Sequence, residues 1–115
     1  MFERWTPNAR ETLIYAQESA DAEIGVDDLV YGVWRESDGL GARLLRDSGY
    51  APPERARRDR PGPRQIPFTR EAHDALRRAA DEAEALGHRV VGTEHVLVAL
   101  RPDLRAALLR LLEGK

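Results

Sequence analysis

The chain has 115 residues and a mass of 12.9 kDa, with 18 basic residues against 20 acidic ones and a formal charge of −2. A folded chain of this size exposes about 6,300 Å² of the roughly 19,000 Å² it exposes when unfolded, which allows one modest core and excludes a nucleotide-driven motor or a doubly wound enzyme. The near balance of charge supplies no overall field toward nucleic acid, the lack of cysteine excludes disulfides and thiolate chemistry, and no apolar run approaches the ~20 residues of a spanning helix. The expectation is a soluble cytoplasmic protein with no leader and no membrane contact.

Thr6 and Pro7 read as N-cap and first position of a helix over residues 8–22, whose apolar stripe is Ala9, Leu13, Ala16 and Ala20. Short apolar helices are predicted over 27–35 and 40–47, the latter ended by Gly49. Residues 51–65 hold two proline clusters around a charged stretch and read as a solvated linker. Thr69 then caps a helix over 70–86 that stops at Gly87, followed by helices over 94–100 and 103–113. Apolar–polar alternation is nowhere sustained, so no strands are expected.

The two halves align with each other. Trp5-Thr6 falls on Phe68-Thr69, and Ala9, Leu13, Ala16 and Ala20 fall on Ala72, Leu76, Ala79 and Ala83. Ile24-Gly25 then meets Val91-Gly92 at an offset four residues larger, so the first half lacks about one helical turn near residue 20. Further on, Leu44-Leu45-Arg46 meets Leu108-Leu109-Arg110. The fold class expected is all-α: two pseudo-twofold-related helical repeats, 1–50 and 66–115, joined by the linker 51–65 into one compact domain.

Three strings carry a resemblance: Met1-Phe-Glu-Arg-Trp-Thr6, Ile66-Pro-Phe-Thr69, and Leu86-Gly-His followed by Gly92-Thr-Glu-His95. Together with the duplication they resemble the Clp N-terminal repeat domain of ClpC- and ClpA-type AAA+ chaperones, over the whole chain except the linker. The resemblance implies a pair of four-helix repeats that binds substrates and adaptors ahead of ATPase modules. The chain departs from that pattern. Gly39-Leu-Gly-Ala-Arg-Leu-Leu45 lacks the Gly-Lys-Ser/Thr of a phosphate-binding loop, so no ATPase is expected. The fourth helix of each repeat is also missing, from the linker and beyond Lys115, so three-helix repeats in a stand-alone domain are expected.

The best site candidate is the turn Gly92-Thr93-Glu94-His95. Thr93 reads as a helix N-cap whose free amides favour an anion, and Glu94 offers a carboxylate to a guanidinium. The resemblance implies phosphoarginine recognition at this threonine and glutamate. In the first half Val26 has no capping group, and Asp27 beside Asp28 places negative charge where a phosphate would sit, leaving Asp27 to engage an unmodified arginine. His95 reads as a packed or capping histidine. The resemblance further implies an apolar adaptor groove, also bound by cyclic-peptide antibiotics, with Phe2, Arg10 and Phe68 at matching positions. His73 and Arg77 stand there in place of the lysine and glutamate usual in ClpC-type members.

Five arginines between 55 and 64 suggest a nucleic-acid contact, but no aromatic side chain interleaves for stacking and Glu54 and Asp59 dilute the charge. His88 and His95 lack a carboxylate at ligand spacing, so no metal is expected, and no cofactor or catalytic constellation is legible. The function expected is a non-catalytic binding module of the Clp protease system. It would recognise substrate proteins, arginine-phosphorylated ones included, or adaptors, and deliver them to a ClpC-type chaperone and its protease or sequester them. A small DNA-binding regulator using the 55–64 arginine run is the alternative.

Overall fold

Thr6 and Thr69 start the two long helices in the same way: each side-chain oxygen accepts a hydrogen bond from the amide three residues on, Ala9 and Ala72, at 3.1 Å. The computed structural model describes residues 2–52 and 66–114, so most of the linker, with its arginine run and the missing fourth helix of the first repeat, lies outside the described residues. The described residues form α1 (Pro7–Ser19), α2 (Val26–Glu36), α3 (Leu40–Asp47), α4 (Arg70–Ala85), α5 (Thr93–Leu100) and α6 (Arg105–Glu113), with a single 3₁₀ turn at Pro102–Leu104 before the last. Among them no strand occurs, and no helix is long and apolar enough to cross a membrane.

Two expected boundaries shift. The first helix stops at Ser19 rather than running to residue 22, because Ala20 is extended and residues 20–24 carry the chain to a backbone pairing with the second half. The last helix begins at Arg105 rather than 103, since Pro102 opens a tighter turn whose Leu104 amide bonds to the Arg101 carbonyl at 2.9 Å. Gly49 and Gly87 end α3 and α4 with φ of 82° and 75°, the left-handed conformation that glycine adopts without a Cβ penalty.

The duplication is visible as an exchange. Trp5, just ahead of α1, bridges Val91 ahead of α5, and Phe68, just ahead of α4, bridges Ile24 ahead of α2. The backbone bonds correspond one for one. Thr6 N donates to Val91 O at 2.9 Å and Val91 N to Arg4 O at 2.8 Å, while Thr69 N donates to Ile24 O at 2.9 Å and Ile24 N to Pro67 O at 2.8 Å. Each repeat therefore completes the other's backbone, which ties them into one body.

Packing follows residue size. The alanine stripes of α1 and α4 are buried, and Gly32 of α2 sits against α1 so closely that a Cβ there would lie 2.2 Å from the Thr12 carbonyl oxygen. Helix α5 is apolar nearly all round, and every residue except Glu94 is buried. It is the shared centre, packed on α1, α2, α3, α4 and α6. Its amide end opens at the seam between the repeats.

Candidate functional site

The turn that opens α5 is built differently from the sequence expectation. Its N-cap is Gly92, and Thr93 is the first helical residue, buried, with its Oγ1 accepting from the Gly41 amide at 2.9 Å. The N-cap of α3 is Gly39, which has no side chain to cap it, so Thr93 supplies that acceptor from the other repeat. The approach is close enough to exclude any side chain at 39, where a Cβ would lie 2.2 Å from the Thr93 oxygen. Thr93 thus corrects the expected N-cap: its hydroxyl oxygen is committed to α3.

His95, at the third helical position, satisfies the amide of the N-cap itself. The Gly92 N–H donates to His95 Nδ1 at 2.8 Å, and His95 Nε2 lies 2.8 Å from His88 Nδ1. With Nδ1 accepting, neutral His95 carries its proton on Nε2 and donates it to His88. In the first repeat Asp28 has the equivalent role, accepting from Gly25 N at 2.9 Å through Oδ2 and from Ser19 Oγ at 2.7 Å through Oδ1. Asp28 is therefore turned inward and does not add to the exposed charge of Asp27, a second correction. Asp and His serve alike because each presents an acceptor at the third helical position.

Burial holds the His95 imidazole below its usual pKa, His88 acts in the same direction, and the Glu94 and Glu82 carboxylates oppose both. The unfolded chain protonates this histidine near pH 6.5, the folded chain at lower pH. Between those values the unfolded state binds more protons, so stability is complete above about pH 6.5 and is lost as pH falls. Thermal melts between pH 7.5 and 5 are expected to show Tm falling with acid. His95→Asn, which retains an acceptor for the Gly92 amide, is expected to flatten that dependence.

Glu94 is half-buried and folds back over Gly92, where a Cβ would meet its Oε1 at 2.3 Å. Among the described residues its carboxylate makes no hydrogen bond or ion pair. It borders a cleft of about 240 Å³ that crosses the seam, with Thr6 and Asn8 from the start of α1, Gly39 and Leu40 from the start of α3, and Val90, 52% exposed, from the turn before α5. Behind this wall the buried Glu36 accepts from Asn8 Nδ2 at 2.6 Å and from Gly39 N at 2.9 Å. No arginine or lysine lines the cleft; besides Glu94, its titratable lining residues are His88 and His95. Asn8, Glu36 and Leu40 were not singled out from the sequence, and no local pattern connects them to residue 94.

The other expected site residues are dispersed. Asp27 is exposed near the start of α2, the position equivalent to Glu94. Phe2 packs edge-on against Trp5, with ring centroids 4.8 Å apart, and Arg10 reaches back to the Phe2, Glu3 and Trp5 carbonyls at 2.9, 3.3 and 3.3 Å. Phe68 is half-buried in its bridge to Ile24, and His73 and Arg77 are exposed on α4. No hydrogen bond or ring contact among the described residues joins the Phe2–Arg10 pair to Phe68 and His73. The described residues contain no group of three or more His, Asp or Glu that could hold a metal ion.

Comparison with known proteins places this architecture. A family model described as the Clp repeat (R) N-terminal domain matches residues 53–115. The chloroplastic chaperone protein ClpC3 of Oryza sativa subsp. japonica is 35% identical over 119 residues, covering 93% of this chain and 13% of that protein. The negative regulator of genetic competence ClpC/MecB of Bacillus subtilis is 32% identical over 111 residues, 87% of this chain and 14% of that protein. The chain thus spans about one seventh of the length of these relatives. Among solved structures, the N-terminal domain of the caseinolytic protease associated chaperone ClpD from Arabidopsis thaliana superimposes with a TM-score of 0.63 at 19% identity, over 96% of this chain and 86% of that one.

Proposed function

The chain belongs to the Clp repeat N-terminal domain family, and we propose that it is a non-catalytic module that captures arginine side chains of substrate or adaptor proteins in the cleft beside Glu94. The observation that carries this reading is a carboxylate without an ion pair beside a cleft lined by no arginine or lysine, with the buried Glu36 behind it. A guanidinium presents a planar fork that a carboxylate accepts bidentately, and partial exclusion of water strengthens the pair. A phosphorylated arginine is the finer form of the proposal. Its phosphate would face the amide end of α5, whose partial positive charge suits an anion, although the Gly92 amide is already bonded to His95. Bound proteins would be delivered to a ClpC-type chaperone and its protease in the cytoplasm, or withheld from them. The exposed His73 side of α4, with Phe2 and Phe68, is the surface proposed for adaptors or cyclic peptides.

The test is a calorimetric titration of a blocked arginine peptide and of its phosphoarginine form against the native chain and Glu94→Ala. A charge-assisted hydrogen bond contributes about 1.5–3 kcal/mol, so the variant is expected to bind at least one ligand roughly tenfold more weakly or worse. Equal affinity in both proteins would remove the cleft from the account, leaving the fold unchanged.

A further inference from the structure

On the face formed by α2 and the end of α3, a second cleft that shares no lining residue with the Glu94 cleft has the opposite charge. We propose that this face is a separate binding site for an acidic peptide segment carrying an aromatic side chain.

Tyr31, Trp34 and Arg35 lie three and four residues apart on α2 and share one face. The Tyr31 and Trp34 rings stand 6.0 Å apart at 36°, a tilted pair with both residues half-buried. The Arg35 guanidinium lies over the Tyr15 ring of α1, 4.8 Å from its centroid, which holds the cation at the cleft edge. Arg46, exposed on α3, donates to the Ser37 carbonyl at 3.2 Å from the opposite side. These side chains enclose about 470 Å³, within the range of small-ligand clefts and enough for one ring with its flanking groups.

The charge selects the occupant. No carboxylate lines the cleft, and neither arginine is held in an ion pair among the described residues; Asp47 faces Arg43 instead, at 3.9 Å. Two guanidinium groups on either side of an aromatic wall match a ring flanked by carboxylates. The ring stacks on Trp34 and Tyr31, and each carboxylate takes a fork of N–H donors. A single-stranded nucleic acid also stacks on aromatic side chains, but it requires a basic track along several phosphates, and this face offers two cations on a chain of charge −2.

The geometry provides its own reporter. Trp5, one of two tryptophans, is 4% exposed in the seam, so changes in tryptophan emission on ligand addition report Trp34. The probe is a blocked pentapeptide with a central phenylalanine flanked on each side by an aspartate and a glutamate, titrated into the full chain at low salt. Saturable quenching or a spectral shift is expected. Affinity is expected to fall at least tenfold when the four acids become their amides, and by a similar factor in the Arg35→Gln/Arg46→Gln double variant, whose folding is checked by its helical circular dichroism. The same peptide with lysines in place of the acids is expected not to bind. Absence of saturable binding at millimolar peptide would overturn the proposal. So would equal affinity for acidic and amide peptides, unchanged affinity in a folded double variant, or tighter binding of oligothymidine than of the acidic peptide.

Discussion

Replacing Gly32 with alanine is expected to lower the melting temperature by roughly 8 °C. The added Cβ would lie 2.2 Å from the Thr12 carbonyl oxygen, 3.0 Å from the Ala16 amide nitrogen and 3.2 Å from the Ala16 methyl. Two of these neighbours are backbone atoms inside α1, so rotating a side chain cannot relieve the contact, and the helices must separate. Overpacking of this kind costs about 1–3 kcal/mol, and contact with backbone places it at the upper end. At about 4 °C per kcal/mol for a domain of this size, the shift is large and readily measured by thermal melting. The gain in helix propensity from glycine to alanine, about 1 kcal/mol, offsets only part of the cost. The aligned position in the second repeat is Ala99, buried between α5 and its neighbours. There the reverse exchange, Ala99→Gly, is expected to cost only about 1 kcal/mol of propensity and about 0.8 kcal/mol of lost methyl burial. If Gly32→Ala leaves the melting temperature unchanged or raises it, as glycine to alanine does in an unobstructed helix, α1 and α2 do not cross at this distance.

The second large effect is expected at Thr93. Thr93→Val preserves the shape of the side chain but removes the acceptor for the Gly41 amide, which is buried and loses its partner. Leaving such a donor unsatisfied costs about 1–3 kcal/mol, or roughly 4–12 °C in Tm. Thr93→Ser keeps the oxygen and is expected to recover most of that loss. A threonine that served only a bound ligand would behave differently, because its valine variant would melt like the native chain and lose affinity alone. Measuring Tm and arginine-peptide affinity on both variants separates the structural role of residue 93 from the recognition role proposed for Glu94.

The two positions show where reading the chain succeeds and where it stops. Helix starts at Thr6 and Thr69, and stops at Gly49 and Gly87, are local devices: a side-chain oxygen three residues ahead of an amide, or a residue free to take positive φ. They need no knowledge of the rest of the molecule, and the repeated alanine stripes that follow them reveal the duplication. At residue 93 the same local rule misled. A threonine before an apolar helix reads as its cap, yet a residue 52 positions away claims its oxygen, and the cap position falls to Gly92, whose amide donates to His95. Asp28 likewise reads as exposed charge but is turned inward by Gly25 and Ser19.

What the amino-acid order determined alone was the helical class, the twofold duplication and most helix boundaries, since these arise from interactions within a few residues. Tertiary structure alone decided the exchange of Trp5–Val91 and Phe68–Ile24 backbone pairs, the early end of α1 that this exchange requires, and the gathering of Asn8, Glu36, Gly39 and Glu94 at one seam. It also decided the pairing of Arg35 and Arg46 around Trp34. Those features depend on groups distant in the chain meeting at bonding distance. Only the packing of both repeats around α5 specifies such meetings, because no local propensity records the direction from which a partner will arrive.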